Sequence, residues 1–513
     1  MSHLASLLQI SPAIPQAADY IRILPEIVLS IFGMLVMVLD PLLEGASNRR
    51  RILGGLAFLG TLGGLAATWF MAQSPGLAFS GMVRADSFSV FFHMLVIAIS
   101  AVVILISFEY VSVQHIRAGE YYGLILFGTV GMGLMSSAVE LVLIFIALEI
   151  SSISSYVLAG LRRREAASGE SALKYFLLGS FATAFFLYGI ALMFGATRST
   201  NVEAITQALQ TVSNPRLVYV ASALMFVGLG FKVAAAPFHV WTPDVYEGAP
   251  SPIVGFMSTG PKAAAFAVLL RIVFQMNTPF HFWMIWIAAA LSMTIGNVGA
   301  LVQSNVKRML AYSSIAHAGY ILVALAATPD LGAAAVIFYT AAYAAMNVGA
   351  FAVVSHLSNV DEKYVSLQDY EGLSQSSPML AAALTIILLS FIGIPMTGGF
   401  FAKLYVFSAS LKANLVGLTI IGVINSAIGA YYYLRIIVAM YMRQPQKPTP
   451  VGPLPLGTRL AIFLCILATF YLGLVPGRAL QQATDASATL ATPGAQPLSG
   501  ASRAALQRPA TTH

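Results

Sequence analysis

Charge is what this sequence has least of. Only 9% of its 513 residues are Asp, Glu, Lys or Arg, against about a quarter in a soluble domain. Hydrophobic residues make up 58%, and the mean hydropathy is +0.81. So few charges cannot cover a chain of this size with a water-facing surface, which excludes a soluble globular protein and sets most of the exterior against lipid. Cysteine is nearly missing too: Cys465 stands alone in an apolar run, which excludes an internal disulfide and a cysteine-ligated iron–sulfur cluster. No Lys or Arg precedes Arg22, so the basic start of a cleavable signal peptide is absent and the first apolar stretch is expected to be the first span. There is no P-loop, no CxxC and no His cluster at metal-ligand spacing. Gly131, Gly133 and Ser136 form a GxGxxS string with no strand before it, which is not a dinucleotide site. The net charge of +7 does not point to nucleic acid, because the basic residues fall in short clusters between apolar stretches, as membrane topology requires.

What is present is a series of apolar stretches. A hydrocarbon core of roughly 30 Å takes about 20 residues to cross. Spans are predicted at 24–43, 52–71, 88–111, 119–138, 140–161, 172–197, 216–241, 251–274, 281–301, 306–328, 330–357, 376–410, 414–442 and 458–477. The expected fold is therefore an all-α integral membrane bundle of about fourteen transmembrane helices, followed by a tail rich in Ala, Thr, Gln, Ser and Pro over 478–513 that reads as disordered. Loops after odd-numbered spans hold Arg49, Arg50, Arg51, Arg117, Arg162, Arg163, Arg164, Lys307, Arg308, Lys363, Arg443 and Lys447. Loops after even-numbered spans hold Arg84, Arg198, Arg216, Arg271 and Lys412. That bias places the odd loops in the cytoplasm and both termini outside, on the periplasmic side.

Spans four to eight and nine to thirteen start at a nearly constant offset. Five helices per copy is an odd number, so the second copy enters the membrane from the opposite side, as an inverted repeat. The organisation expected is an N-terminal three-helix segment (1–118), a first repeat (119–274), a second inverted repeat (281–442), a last span (443–477) and the tail. The seventh span contains Pro237, five residues after Lys232. The twelfth contains Pro395, Gly398 and Gly399 just before Lys403. Interior Pro and Gly open a helix, and opened backbone at membrane depth is tolerated only against protein or water.

Glu149, Lys232, Lys262 and Lys403 lie inside spans, Glu149 about 14 Å into the fifth and Lys262 about 16 Å into the eighth at about 1.5 Å per residue. Each central charge costs roughly 2.5–3.5 kcal/mol on insertion scales. Four together cost on the order of 10 kcal/mol, as much as a whole domain's stability. A Glu149–Lys232 pair that forms and breaks can load and release a proton; a static ion pair that orders the bundle is the other reading. His317, in SSIAHAGY between Ser313, Ser314 and Tyr320, is a candidate relay between Lys262 and Lys403, or a neutral packing histidine. His239, in PFHVW, can serve proton uptake or pack beside Trp241. Asp244 and Glu247, in TPDVYEGAP, read as loop-shaping acids. Arg435, near the end of its span, is expected to snorkel to the interface.

These residues lie in segments that resemble a known family. ALEISSISSYVLAGL, ESALKYFLLGSFATAFFLYGIAL, GFKVAAAPFHVWTPDVYEGAPSPIVGFMSTGPKAAAFAVLLR, NVGALVQSNVKRMLAYSSIAHAGYIL and SFIGIPMTGGFFAKLYVF closely resemble the subunit N family of bacterial NADH:quinone oxidoreductase, respiratory complex I. The resemblance runs from about residue 20 to 477 and implies the antiporter-like fold and a proton-pumping role in the membrane arm. It places Glu149, Lys232, Lys262 and Lys403 at that family's pumping positions. NADH, FMN, iron–sulfur clusters and quinone are then expected on partner subunits and no cofactor in this chain. The expected partners are the lipid bilayer and other membrane-arm subunits, sister antiporter-like chains among them. Two alternatives share the pump: the matching chain of a ferredoxin-linked photosynthetic-type complex, and a subunit of a multi-chain sodium/proton antiporter. The TPDVYEGAP segment favours subunit N, and the four buried charges argue against a purely structural scaffold.

Overall fold

The computed structural model describes residues 15–46, 48–212, 215–276, 279–327, 329–358, 362–444 and 451–490. Eleven of its helices are long and apolar enough to cross a membrane. Three further crossings complete fourteen spans: Ala118–Ser137, Val306–Leu325, and the interrupted pair Pro378–Ile392 and Gly398–Lys412. These three carry Glu120, Lys307 with Arg308, or a central break, which shortens or dilutes their apolar stretch. In chain order the remaining spans are Leu24–Leu42, Arg49–Ala72 and Ser87–Val113 (first to third), then Leu141–Ala159 and Ala166–Thr197 (fifth and sixth). Pro215–Val233 is the seventh; Ser251–Met257 with Gly260–Met276 is the eighth; Pro279–Leu301 is the ninth and Pro329–Leu357 the eleventh. Val416–Met442 and Leu456–Leu474 are the thirteenth and fourteenth. With an even number of spans both ends of the bundle lie on one face, called here the terminal face; the loops after odd spans make up the opposite, arginine-bearing face. A short antiparallel hairpin, Gly76–Ala78 with Val83–Ala85, joins the second span to the third.

Burial follows position in the bundle. The eighth span is buried along its length and the eleventh nearly so, whereas Trp69, Phe181, Tyr188, Trp283 and Ile424 stand exposed on outlying helices, as lipid-facing side chains do.

The repeat is visible in the backbone. Glu140, which caps the fifth span, bridges to Asn201 beyond the sixth; Asn305, which caps the tenth, bridges to Ser366 beyond the eleventh. Both partners step by 165 residues, and the flanking bonds repeat with them. Leu141 N–H donates to Thr200 O at 2.8 Å and Val202 N–H to Val139 O at 3.0 Å; Val306 N–H donates to Val365 O and Leu367 N–H to Ser304 O, both at 2.8 Å. Because the fifth and tenth spans start from opposite faces, the two copies are inverted.

Two expectations need correction. The tail read as disordered from 478 begins as a helix, Pro476–Ala488, with Ala479, Ala483 and Ala486 buried on one side against the third and eleventh spans. Small residues three to four apart give it a docking stripe that its polar composition hides; the call on 491–513 lies outside the described residues. The eighth span, read as continuous, is interrupted at Ser258–Thr259. Pro261 has no N–H to offer Met257 O, so the ladder opens there, one residue before Lys262.

Candidate functional site

Lys232 lies in the last turn of the seventh span, immediately before the break at 234–241. Tertiary partners take up the backbone groups freed by the break. Ala235 N–H donates to Gly230 O at 2.8 Å, Ala236 N–H to Ser292 Oγ at 2.7 Å, and the Trp241 indole N–H to Phe231 O at 3.1 Å. Trp241 also stacks on Tyr175 at 4.4 Å. Lys232 Nζ donates to Ser152 Oγ at 2.8 Å and lies 5.9 Å from the centre of the Tyr175 ring. Ser152 is one turn beyond Glu149. Glu149 acts on Lys232 through space, with no ion pair within 4.0 Å between them, and its buried Oε1 has no hydrogen-bond partner. The structure thus brings the two near each other without direct contact, and the Ser152 hydroxyl that receives Lys232 donates in turn to Leu148 O at 2.7 Å.

Lys262 begins the second half of the eighth span and donates to Ser314 of the tenth span, to the hydroxyl at 2.5 Å and the carbonyl at 3.1 Å. Ser314 Oγ also accepts from Tyr343 OH at 2.7 Å, and the Tyr343 ring lies 5.3 Å from that of His317. His317 Nδ1 is 2.7 Å from Tyr339 OH and Nε2 is 3.1 Å from Tyr433 OH, which in turn bonds Ser313 Oγ. The Phe391 ring packs against both His317 and Tyr433, at 5.1 and 5.3 Å.

Phe391 links this cluster to Lys403. The first half of the twelfth span ends at Ile392, where Gly393 turns the chain at φ +92°. Helix ends leave carbonyls without intrahelical partners and carry the negative end of the dipole. Lys403 meets those needs: Nζ donates to Phe391 O at 2.9 Å, Ile392 O at 3.0 Å and Ser426 Oγ at 2.8 Å. The two half-helices approach so closely that a Cβ on Gly399 would lie 1.8 Å from Ser390 O, so only glycine fits.

Each of the three lysines therefore faces one serine hydroxyl, Ser152, Ser314 or Ser426. A hydroxyl donates as well as accepts, so each contact can persist whether the amine is charged or neutral. Ser313 and Ser314 were marked by their place beside His317; Ser152, Ser426, Tyr343 and Tyr433 carried no signal that set them apart from packing residues.

Other charges find firm partners. Asp244 binds Lys174 and Arg308, both at 2.7 Å, and Glu247 binds Arg308 at 2.8 Å, tying the sixth span to the tenth. His239 lies in the seventh-span break with Nδ1 unpartnered. Arg435 reaches to the arginine-bearing end of the neighbouring ninth span. It donates to Leu301 O at 2.9 Å and to Gln303 O, capping the ninth span. Three basic residues counted as loop charges are buried. Arg271 binds both oxygens of Asp86 at 3.0 and 3.1 Å. Arg162 and Lys307 converge on one oxygen of Glu362 at 3.1 and 2.6 Å, while its other oxygen accepts from Tyr110 OH at 2.8 Å and Ser251 N–H at 2.6 Å. Burial disfavours a charged Glu362, but Lys307 and Arg162 outweigh it and hold the carboxyl below its ordinary value. Sequence reasoning missed Glu362 because its four donors come from four distant segments. Among the described residues no group of three or more His, Cys, Asp or Glu could hold a metal ion.

Residues 138–429 match the family described as NADH:quinone oxidoreductase/Mrp antiporter, TM. NADH-quinone oxidoreductase subunit N 2 of Koribacter versatilis is 64% identical over 485 residues, 92% of this chain and 98% of that protein. This chain belongs to the subunit N family of proton-translocating NADH-quinone oxidoreductase. A chain of respiratory complex I from Thermus thermophilus superposes with a TM-score of 0.77 at 36% identity, covering 89% of this chain and 98% of that one. A chain of the Mrp complex from Dietzia superposes with a TM-score of 0.79 at 21% identity, over 91% of this chain and 98% of that one. That likeness speaks to the fold alone. The subunit N relative thus matches nearly the whole length of this chain.

Proposed function

We propose that protons cross this subunit along the buried row Glu149, Lys232, Lys262, His317 and Lys403, driven by quinone reduction in partner subunits of the complex I membrane arm. Sister antiporter-like chains are the expected neighbours, with NADH, FMN, iron–sulfur clusters and quinone held by other subunits. The observation that carries the reading is the repeated lysine–serine contact beside a helix interruption: Lys232 by the seventh-span break, Lys262 by the eighth, Lys403 by the twelfth. Glu149 and Lys232 load the proton at one end; Ser314, Tyr343, His317 and Tyr433 connect Lys262 to the Lys403 end. The arginine-bearing face is assigned to the cytoplasm of a bacterial cell and both termini to the periplasm. The basic excess there remains after Arg162, Lys307 and Arg271 are set aside.

The test is Lys403→Arg. Arginine keeps a positive charge and can still donate to Phe391 O, Ile392 O and Ser426, but it does not deprotonate in proteins. The variant is expected to assemble and to move fewer protons per electron than the parent in membrane vesicles. Parental stoichiometry in a verified, fully assembled complex defeats the relay and leaves a structural cation.

A further inference from the structure

At the terminal face, outside the lysine row, the first, third and fourth spans enclose a second acid–base pair. His93 Nε2 lies 2.7 Å from Glu26 Oε1, and both residues are buried, 1% and 5% exposed. Hydrogen-bond chemistry sets the proton count. His93 Nδ1 is 2.7 Å from Ser89 O, which can only accept, so Nδ1 carries a hydrogen. Ser136 Oγ lies 3.2 Å from the same nitrogen, with its own hydrogen directed to Gly133 O at 2.7 Å. The Nε2–Oε1 contact then needs one more hydrogen, held by the ring as imidazolium against carboxylate or by the acid against neutral imidazole. Either way the pair shares one proton and is neutral overall.

The second oxygen sets this pair apart. Glu26 Oε2 is buried and has no hydrogen-bond partner. Two other buried acids at the bundle's ends are closed by comparison: both oxygens of Asp86 accept from Arg271, and both oxygens of Glu362 accept from donors of two kinds. Leaving an oxygen of a buried ion pair unpaired costs about 1–3 kcal/mol. The fourth span also comes close: a Cβ on Gly133 would lie 2.9 Å from His93 Nε2 and 3.0 Å from Glu26 Oε1. The charged groups around the pair are Asp86, which acts on His93 through space, and Arg271, whose Nε–H donates to Ser136 O at 3.0 Å. Arg271 is nine residues beyond Lys262 on the same span, roughly 14 Å along its axis.

We propose that Glu26 and His93 form a proton-loading site at the terminal face, on the Lys262 side of the bundle. A second proton binds Glu26 Oε2 and leaves the pair as carboxylic acid beside imidazolium, with net charge +1. Its loss to the terminal face returns the neutral pair, so one proton is taken and one released per cycle and no heavy-atom bond changes. This rests on the proton-translocation reading, but the site can be read without pumping.

The experiment is infrared difference spectroscopy of the assembled complex between acid and alkaline pH, with Glu26→Gln and His93→Gln. The parent is expected to show a pH-dependent carboxylic acid C=O stretch that Glu26→Gln loses and His93→Gln shifts. Glu26→Gln is also expected to lower protons moved per electron while quinone reduction continues. Parent and Glu26→Gln spectra that coincide overturn the proposal, whatever Lys403→Arg does. A lost band with unchanged stoichiometry overturns the part in translocation while Lys403→Arg still pumps poorly. If Glu26→Gln does not assemble, Glu26→Asp withdraws the carboxyl by one methylene and must move the pH at which the band appears; an unmoved band is decisive against the site.

Discussion

Glu362→Gln is the substitution whose cost can be worked from the geometry. Arg162 and Lys307 lie 3.1 and 2.6 Å from the same Glu362 oxygen, so the two cations are within about 6 Å of each other. At that separation their repulsion is about 3 kcal/mol for an effective dielectric of about 20. Glutamine keeps an acceptor for Ser251 N–H and Tyr110 but removes the charge that holds both cations. Breaking a buried pair in this way costs about 3–5 kcal/mol, a large part of the roughly 5–15 kcal/mol that keeps a typical domain folded. The expected outcome is less assembled complex and a lower unfolding midpoint in detergent, with partial recovery in Glu362→Gln/Lys307→Met, where only one cation remains. The sign of the pH effect follows from the carboxyl held below its ordinary value of 4.5. Its contribution is complete above that value and is lost as pH falls through the lower folded value, so the parent should lose stability under acid that the Gln variant does not. Parental assembly and melting in Glu362→Gln would refute the account of the cluster.

Gly399→Ala is expected to abolish assembly or displace the second half of the twelfth span, because its Cβ would sit 1.8 Å from Ser390 O; yield of the purified complex measures it. Ser314→Ala keeps the carbonyl that Lys262 uses at 3.1 Å but removes the hydroxyl shared with Tyr343. Normal assembly with at least a several-fold slower pumping rate is expected, and an unchanged rate removes Ser314 from the path. Ala483→Asp puts an unpaired acid on the buried side of the 476–488 helix, and should expose that segment to limited proteolysis while spans one to fourteen stay protected.

Much of the bundle was legible before any tertiary contact was known, because hydropathy is a property of a stretch. Twenty apolar residues in a row can settle only in lipid or a dry core, and Glu149, Lys232, Lys262 and Lys403 stood out because charge at that depth is costly. Breaks with a Pro or Gly inside were legible at 237 and at 395–399; Gly260 and Pro261 carry the same signal at the eighth span, within a stretch long enough to cross unbroken. Partners were not legible. Ser152 serves Lys232 from 80 positions away, and Glu362 gathers Lys307, Ser251 and Tyr110 from 55, 111 and 252 positions away. Serine, tyrosine and alanine look alike along a span, whether they face lipid, a neighbour or a lysine, since side-chain direction depends on helix rotation and packing angle. Basic residues near span ends likewise read as loop charges until Asp86 and Glu362 arrive from elsewhere to receive Arg271, Arg162 and Lys307. The local chain determined which segments enter the membrane and where charge is carried with them; only the packing of distant spans decided what each charge touches, because a buried charge takes its partner by distance in space and not by distance in sequence.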